Sequence, residues 1–216
     1  MTVAVVETRE VAVRAFRIED LAARFEMLSY DELERAARLP DETRRLRFVA
    51  VRSRVRAMLA DLLDVAPHEI RFRYGPLGRP SIAWPATGLG FNLSHTNDLC
   101  VLAIGPEPVG VDVETVAAGM YLRPVAAMVM ADSELDLIER ALDPDDAFAR
   151  IWVRKEAWAK AGGSGLTRAL SGRVLSDPEV VSSGLTVKDL DGLGAAVRGA
   201  VAMPVGVAAG RVGWSR

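Results

Sequence analysis

Two acidic residues, Asp112 and Glu114, stand two apart in Val109-Gly110-Val111-Asp112-Val113-Glu114. Side chains alternate along an extended chain, so both carboxylates leave one face of a strand while the three valines fill the other. Adjacent like charges repel unless a cation or a basic group sits between them, and a hard ion such as Mg²⁺ takes oxygen ligands. The pattern alone is equally that of a solvated edge strand in an antiparallel sheet.

A second group lies in Trp152-Val153-Arg154-Lys155-Glu156-Ala157-Trp158-Ala159-Lys160, where Trp152, Glu156 and Lys160 fall at successive i+4 steps on one helix face. Taken singly, Glu156 and Lys160 make an ordinary helix ion pair. An apolar wall such as Trp152 beside a carboxylate raises its pKa, which is what a general base needs. A third feature is the run Arg44, Arg45, Arg47, Arg52, Arg54 and Arg56, of which Arg52 and Arg56 share a face. Guanidinium groups grip phosphate in a bidentate manner; a solvated helix face explains the run as simply. A nucleic-acid surface fits it poorly, because the cluster is short and lacks interleaved stacking aromatics. His95, in Phe91-Asn92-Leu93-Ser94-His95-Thr96, begins a strand among hydroxyl and amide side chains, whereas His68 and Cys100 read as structural.

The elements that must carry these residues follow from local signals. Val11 to Phe16 alternates as a strand, and Ser29-Tyr30-Asp31-Glu32 forms a capping box for a short helix ending near Pro40. Asp41 starts a longer helix to about Asp64, with Phe48, Val51, Val55, Met58 and Leu62 as its apolar stripe. Ile70 to Tyr74 reads as a strand, Gly75 to Pro80 as a loop, and Leu99 to Ile104 and Val109 to Glu114 as strands meeting in a hairpin or a sheet corner. Asp132 or Ser133 caps a helix through Ala141, Asp145 opens a helix that stops at Gly162-Gly163, and a β-rich tail follows. The alternation indicates an α+β chain with halves at 1–107 and 108–216.

The whole composition narrows the chemistry. The chain has 216 residues, half of them apolar, and a net charge of −2, so any phosphate binding must be local. One cysteine and two histidines cannot build a tetrahedral zinc site or a disulfide. No apolar run reaches the ~20 residues of a membrane span, and the N-terminus lacks a secretory pattern, from which a cytoplasmic location and no membrane partner are expected.

Taken in order, these segments resemble the Sfp-type 4′-phosphopantetheinyl transferases. Gly78-Arg79-Pro80 is similar to the family's Gly-Lys-Pro element, Phe91 to Thr96 to its Phe-Asn-x-Ser-His element, Val109 to Glu114 to its Gly-x-Asp-x-Glu strand, and Trp152 to Lys160 to its Trp-x-x-Lys-Glu-x-x-x-Lys helix. Gly165-Leu166 is similar to the loop after the last motif. The resemblance implies a pseudo-two-fold monomer of two similar α+β halves with coenzyme A and Mg²⁺, or Mn²⁺, in the cleft between them. It implies transfer of 4′-phosphopantetheine from coenzyme A to a serine of an apo acyl or peptidyl carrier protein. Adenosine 3′,5′-bisphosphate would be released. Asp112 and Glu114, with Glu134 as third ligand, would hold the metal. Glu156 would be the general base, with Lys160 and His95 catalytic. Arg52, Arg79, Ser94, His95, Lys155 and Lys160 would contact coenzyme A, Arg52 at its 3′-phosphate. Among Met120, Tyr121, Met128 and Met130, those that are exposed would offer apolar contacts to the carrier, with core packing expected for at least half of them. Two departures stand out: arginine replaces the common lysine at Arg79, and Phe48 replaces a nucleotide-contacting hydroxyl. A non-catalytic protein that keeps only the coenzyme A or nucleotide pocket is the competing reading.

Overall fold

The computed structural model describes residues 9–163 and 183–215. Along the chain lie β1 (Glu10–Arg17), α1 (Tyr30–Ala37), α2 (Glu42–Leu63), β2 (Arg71–Tyr74), β3 (Pro80–Trp84), β4 (Leu89–Thr96), β5 (Leu99–Pro106) and β6 (Gly110–Thr115). They are followed by α3 (Arg123–Ala126), α4 (Asp132–Glu139), α5 (Pro144–Gly162), β7 (Leu185–Asp189), β8 (Val197–Pro204) and β9 (Ala208–Trp214). Gly165-Leu166 lies outside the described residues. The fold is α+β, as expected.

Strands order as β4-β5-β1-β9 in one sheet and β6-β8-β7 in another, with β2-β3 as a separate hairpin. The two larger sheets share an apolar core in which Val11, Val13, Val101 and Ala103 of the first meet Val109, Val111, Val113 and Val201 of the second. On its far face the first sheet packs Phe91, Cys100 and Leu102 against Val55 and Leu59 of α2. On the other side, Ala200 and Ala202 of the second sheet pack against Val153, Ala157 and Ala161 of α5. The layers therefore run helix, sheet, sheet, helix, with one long helix covering each sheet.

The local signals located most elements. Asp41 caps α2 by accepting from the Arg44 amide, and Asp143 caps α5 by accepting from the Asp146 amide, so that α5 starts at Pro144, one residue before the expected Asp145. The stripe of α2 is rotated from the expected one: Val49, Val55, Arg56 and Leu59 are its fully buried residues, and Leu62 is exposed. Long-range pairing was not legible. The segment 105–108 is a corner between sheets, so β5 hairpins with β4 and β6 pairs with β8. The last strand, β9, returns to run parallel to β1 in the first sheet.

The seam between the sheets positions the acidic pair. β4 and β6 are edge strands, and the amides of an edge strand need partners that a ladder does not supply. Side chains of β4 provide them: Asn92 Oδ1 accepts from the Val111 amide at 2.8 Å and Thr96 Oγ1 from the Thr115 amide at 3.1 Å. Period-two alternation then sends Phe91, Leu93 and His95 to the opposite face, towards α2 and its cavity. On the α5 side, a Cβ at Gly110 would sit 2.1 Å from the Ala157 carbonyl oxygen. Only glycine lets β6 approach α5 this closely.

Candidate active site

Asp112, Glu114, Glu156 and Lys160 meet where β6, β4 and α5 converge. Lys160 Nζ donates to Asp112 Oδ1 at 2.6 Å and to Ser94 Oγ at 3.1 Å, and Ser94 Oγ donates to the same Asp112 oxygen at 2.8 Å. The other oxygen, Asp112 Oδ2, is buried and has no hydrogen-bond partner among the described residues. Burial pushes the Glu156 carboxyl up to about 7, and the charges of Asp112 and Glu114 add to the shift while Lys160 opposes it. Glu114 is raised by the same two causes, burial and Asp112, against hydrogen bonding to Thr96 and Trp152. Each carboxylate therefore makes the next harder to ionise.

This donor set suits a hard divalent cation: oxygen ligands, excess negative charge and an orphaned buried carboxylate oxygen. Among the described residues no three such side chains converge closely enough to hold an ion unaided. A small cation that keeps water and substrate phosphate in its shell needs only one or two protein carboxylates. The third acid in this field is Glu156. Glu134, expected there from the sequence, is instead buried against Lys155, whose Nζ donates to Glu134 Oε2 at 2.5 Å, and the same oxygen caps α4 by accepting from the Ala131 amide. The pair ties α4 to α5. Lys155 itself is 1% exposed, with its ammonium engaged by Glu134.

On the face of β4 away from the acids lies a cavity of about 380 Å³ whose lining includes Arg35, Arg47, Phe48, Arg52, Tyr74 and His95. A second cavity of about 370 Å³, which shares Gly78, Pro80 and Leu93 with it, extends past Arg79 to Lys160 and Gly163. His95 is exposed on the cavity side of β4. Arg52 is committed differently from the sequence expectation. Glu32, 1% exposed, forms ion pairs with both Arg52 and Arg56, and the two guanidinium groups lie 4.9 and 4.7 Å from the Phe72 ring centroid. Arg52 is therefore wall as well as charge. Among the described residues, Arg35 and Arg47 have no ion pair with a carboxylate; Arg35 lies over the Phe48 ring and Arg47 donates to the Asn97 carbonyl. Arg47 was read only as one member of the run and Arg35 was not singled out, because sequence spacing cannot show which arginines the fold has already neutralised.

Arg79 also has a structural commitment. Its Nη1 donates to the Ala161 carbonyl at 2.6 Å and its Nη2 to the Val109 carbonyl at 2.9 Å, fastening the loop after β2 to the end of α5 and the start of β6. The planar fork reaches the two carbonyls from two separate nitrogens, where a lysine would bring a single ammonium. Cys100 is buried on the cavity floor, and burial pushes its thiol up to about 12, in keeping with a small core residue.

Comparison with known proteins converges on one group. A family model described as the 4′-phosphopantetheinyl transferase superfamily matches residues 108–195. The chain is 34% identical to 4′-phosphopantetheinyl transferase HetI of Nostoc sp., over 70% of this chain and 65% of that protein. It is 30% identical to a phosphopantetheinyl transferase of Thraustochytrium sp., over 76% and 62% of the two chains. It is 33% identical to 4′-phosphopantetheinyl transferase AcpT of Salmonella typhi, over 62% and 68%. The matches thus span a little under two thirds of the Nostoc and Thraustochytrium proteins. With the acidic strand and the lysine-bearing part of α5 both inside the match, and with the Salmonella protein covered over two thirds of its length, the chain belongs to the 4′-phosphopantetheinyl transferase superfamily.

Proposed function

We propose that this protein transfers the 4′-phosphopantetheine group of coenzyme A to a serine hydroxyl of an apo carrier protein. The observation that carries the reading is a cation-seeking acidic group tied through Lys160 to a cavity that shares its lining with an arginine-lined one of about 380 Å³. In this reading the 3′-phosphoadenosine end occupies the cavity, with Arg35 and Arg47 facing its phosphate charge and Arg52 stiffening the wall. The pyrophosphate reaches Lys160 and His95. Asp112 and Glu114 would hold Mg²⁺, which when bound neutralises charge on the pyrophosphate.

The serine oxygen forms a bond to the phosphorus bearing phosphopantetheine as the pyrophosphate P–O bond breaks, and adenosine 3′,5′-bisphosphate leaves. Glu156, with a pKa near neutrality, takes the serine proton. Lys160 offers N–H groups to the leaving phosphate, and positioning supplies much of the barrier reduction. For the carrier, Leu122, Val125 and Met128 give an exposed apolar patch around α3, whereas Met130 is core and Met120 and Tyr121 pack against that core.

Incubation with coenzyme A, Mg²⁺ and several apo carriers should add about 340 Da to a carrier, the mass of the transferred group. No gain on any carrier, with coenzyme A bound, favours the non-catalytic reading. A second role for Glu156 is favoured by its sharing a field with Asp112 and Glu114, namely as a cation ligand. Glu156→Gln separates the two: a base variant loses transfer and keeps Mn²⁺ binding, whereas a ligand variant loses both.

A further inference from the structure

Ser94 stands where a coenzyme A contact was expected, yet its hydroxyl is already engaged on both sides. It is 6% exposed on β4, between Asn92 and Thr96, whose side chains hold the backbone of β6. Ser94 instead reaches a β6 side chain. Its single proton goes to Asp112 Oδ1 at 2.8 Å, and its oxygen accepts from Lys160 Nζ at 3.1 Å. Lys160 closes the triangle by donating to the same Asp112 oxygen at 2.6 Å.

A carboxylate is planar, so fixing one oxygen fixes where the other points. With Oδ1 held twice, the buried Oδ2 keeps no protein partner among the described residues and is left for a cation. We propose that Ser94 is a positioning residue that sets the rotation of the Asp112 carboxylate for a divalent cation and holds the Lys160 ammonium beside it. The inference rests on the reading of Asp112 as a cation ligand. Removing such a supporting hydrogen bond commonly weakens metal affinity by about 10- to 100-fold.

The test is a Mn²⁺ titration of the full-length protein without coenzyme A, followed by the electron paramagnetic resonance signal of free Mn²⁺. Ser94→Ala, and the nearly isosteric poor donor Ser94→Cys, should each raise the Mn²⁺ dissociation constant at least about 10-fold. Ser94→Thr, which keeps the hydroxyl, should restore it to within about 3-fold of wild type, a smaller change than loss of the bond gives. Coenzyme A binding measured without metal should change less than Mn²⁺ affinity in the alanine and cysteine variants. Ser94→Cys keeps the packing and provides the decisive result if Ser94→Ala fails to fold. Wild-type Mn²⁺ affinity in the cysteine variant, with binding abolished in Asp112→Asn, overturns this inference alone. Weakened coenzyme A binding with normal Mn²⁺ affinity would make Ser94 a substrate contact and overturn it too. Undiminished Mn²⁺ binding in Asp112→Asn, or none in the wild type, overturns the cation reading beneath it.

Discussion

At the scale of single residues, the charge a side chain carries matters less than whether the fold has already spent it. Arg52 and Arg56 share Glu32, a buried carboxylate, and removal of one member of such a set leaves charge without a partner. Arg52→Gln should therefore lower stability by about 1–3 kcal/mol. Its effect on coenzyme A affinity should be smaller. Arg35→Gln and Arg47→Gln should do the opposite, each weakening coenzyme A about 10-fold, near the 1.4 kcal/mol expected for one exposed charge-assisted contact, with little change in melting temperature. Calorimetric titration beside thermal melts reads both quantities. Equal affinity losses at all three positions would contradict the distinction between wall and ligand.

Elements place these residues by packing that is partly local and partly not. The two-residue alternation of 109–114 already put Asp112 and Glu114 on one face, because side-chain direction in a strand depends only on parity. The i+4 spacing likewise put Glu156 and Lys160 together on α5. What spacing could not convey is which element comes opposite. The family resemblance offered Glu134 as a third ligand, whereas the packing of α4 on α5 gives it Lys155 as partner. Asn92 and Thr96 looked like motif neighbours of His95, and only the edge-to-edge placement of β4 and β6 shows that they satisfy backbone amides. Gly110 was read as part of a pattern, whereas the structure gives it a steric reason. Gly110→Ala would force β6 from α5 and should cost about 1–3 kcal/mol, with loss of transfer exceeding loss of fold, since Asp112 and Glu156 would separate. Asn92→Ala leaves the Val111 amide without its partner and should cost about 1–3 kcal/mol. Urea unfolding measures both; wild-type stability in Gly110→Ala would mean that β6 and α5 do not approach so closely.

At the scale of the whole molecule, the acidic group lies on the seam that joins the two sheets, so its ionisation acts on global stability. Glu156 is raised from its ordinary 4.5 to about 7 by burial and by Asp112 and Glu114, and Glu114 is raised in the same direction. The native protein thus binds a proton more tightly than the unfolded chain. That contribution is complete below pH about 4.5 and is lost as pH rises through about 7. In the metal-free protein Glu156 should cost on the order of 2 kcal/mol at pH 8 relative to pH 5, or roughly 4–8 °C in melting temperature for a chain of this size. Glu156→Gln should melt above wild type at pH 8 by a similar margin, and the difference should close by pH 5. A divalent cation competes with protons for the same oxygens, so stabilisation by Mg²⁺ should grow as pH rises, reaching about 2.7 kcal/mol at a hundredfold excess over its dissociation constant. Melting curves at pH 5 and 8, with Mg²⁺ or with a chelator, test both signs at once. Greater stabilisation by Mg²⁺ at pH 5 than at pH 8 would remove the carboxylates from the cation's site, because protonated acids cannot be its ligands.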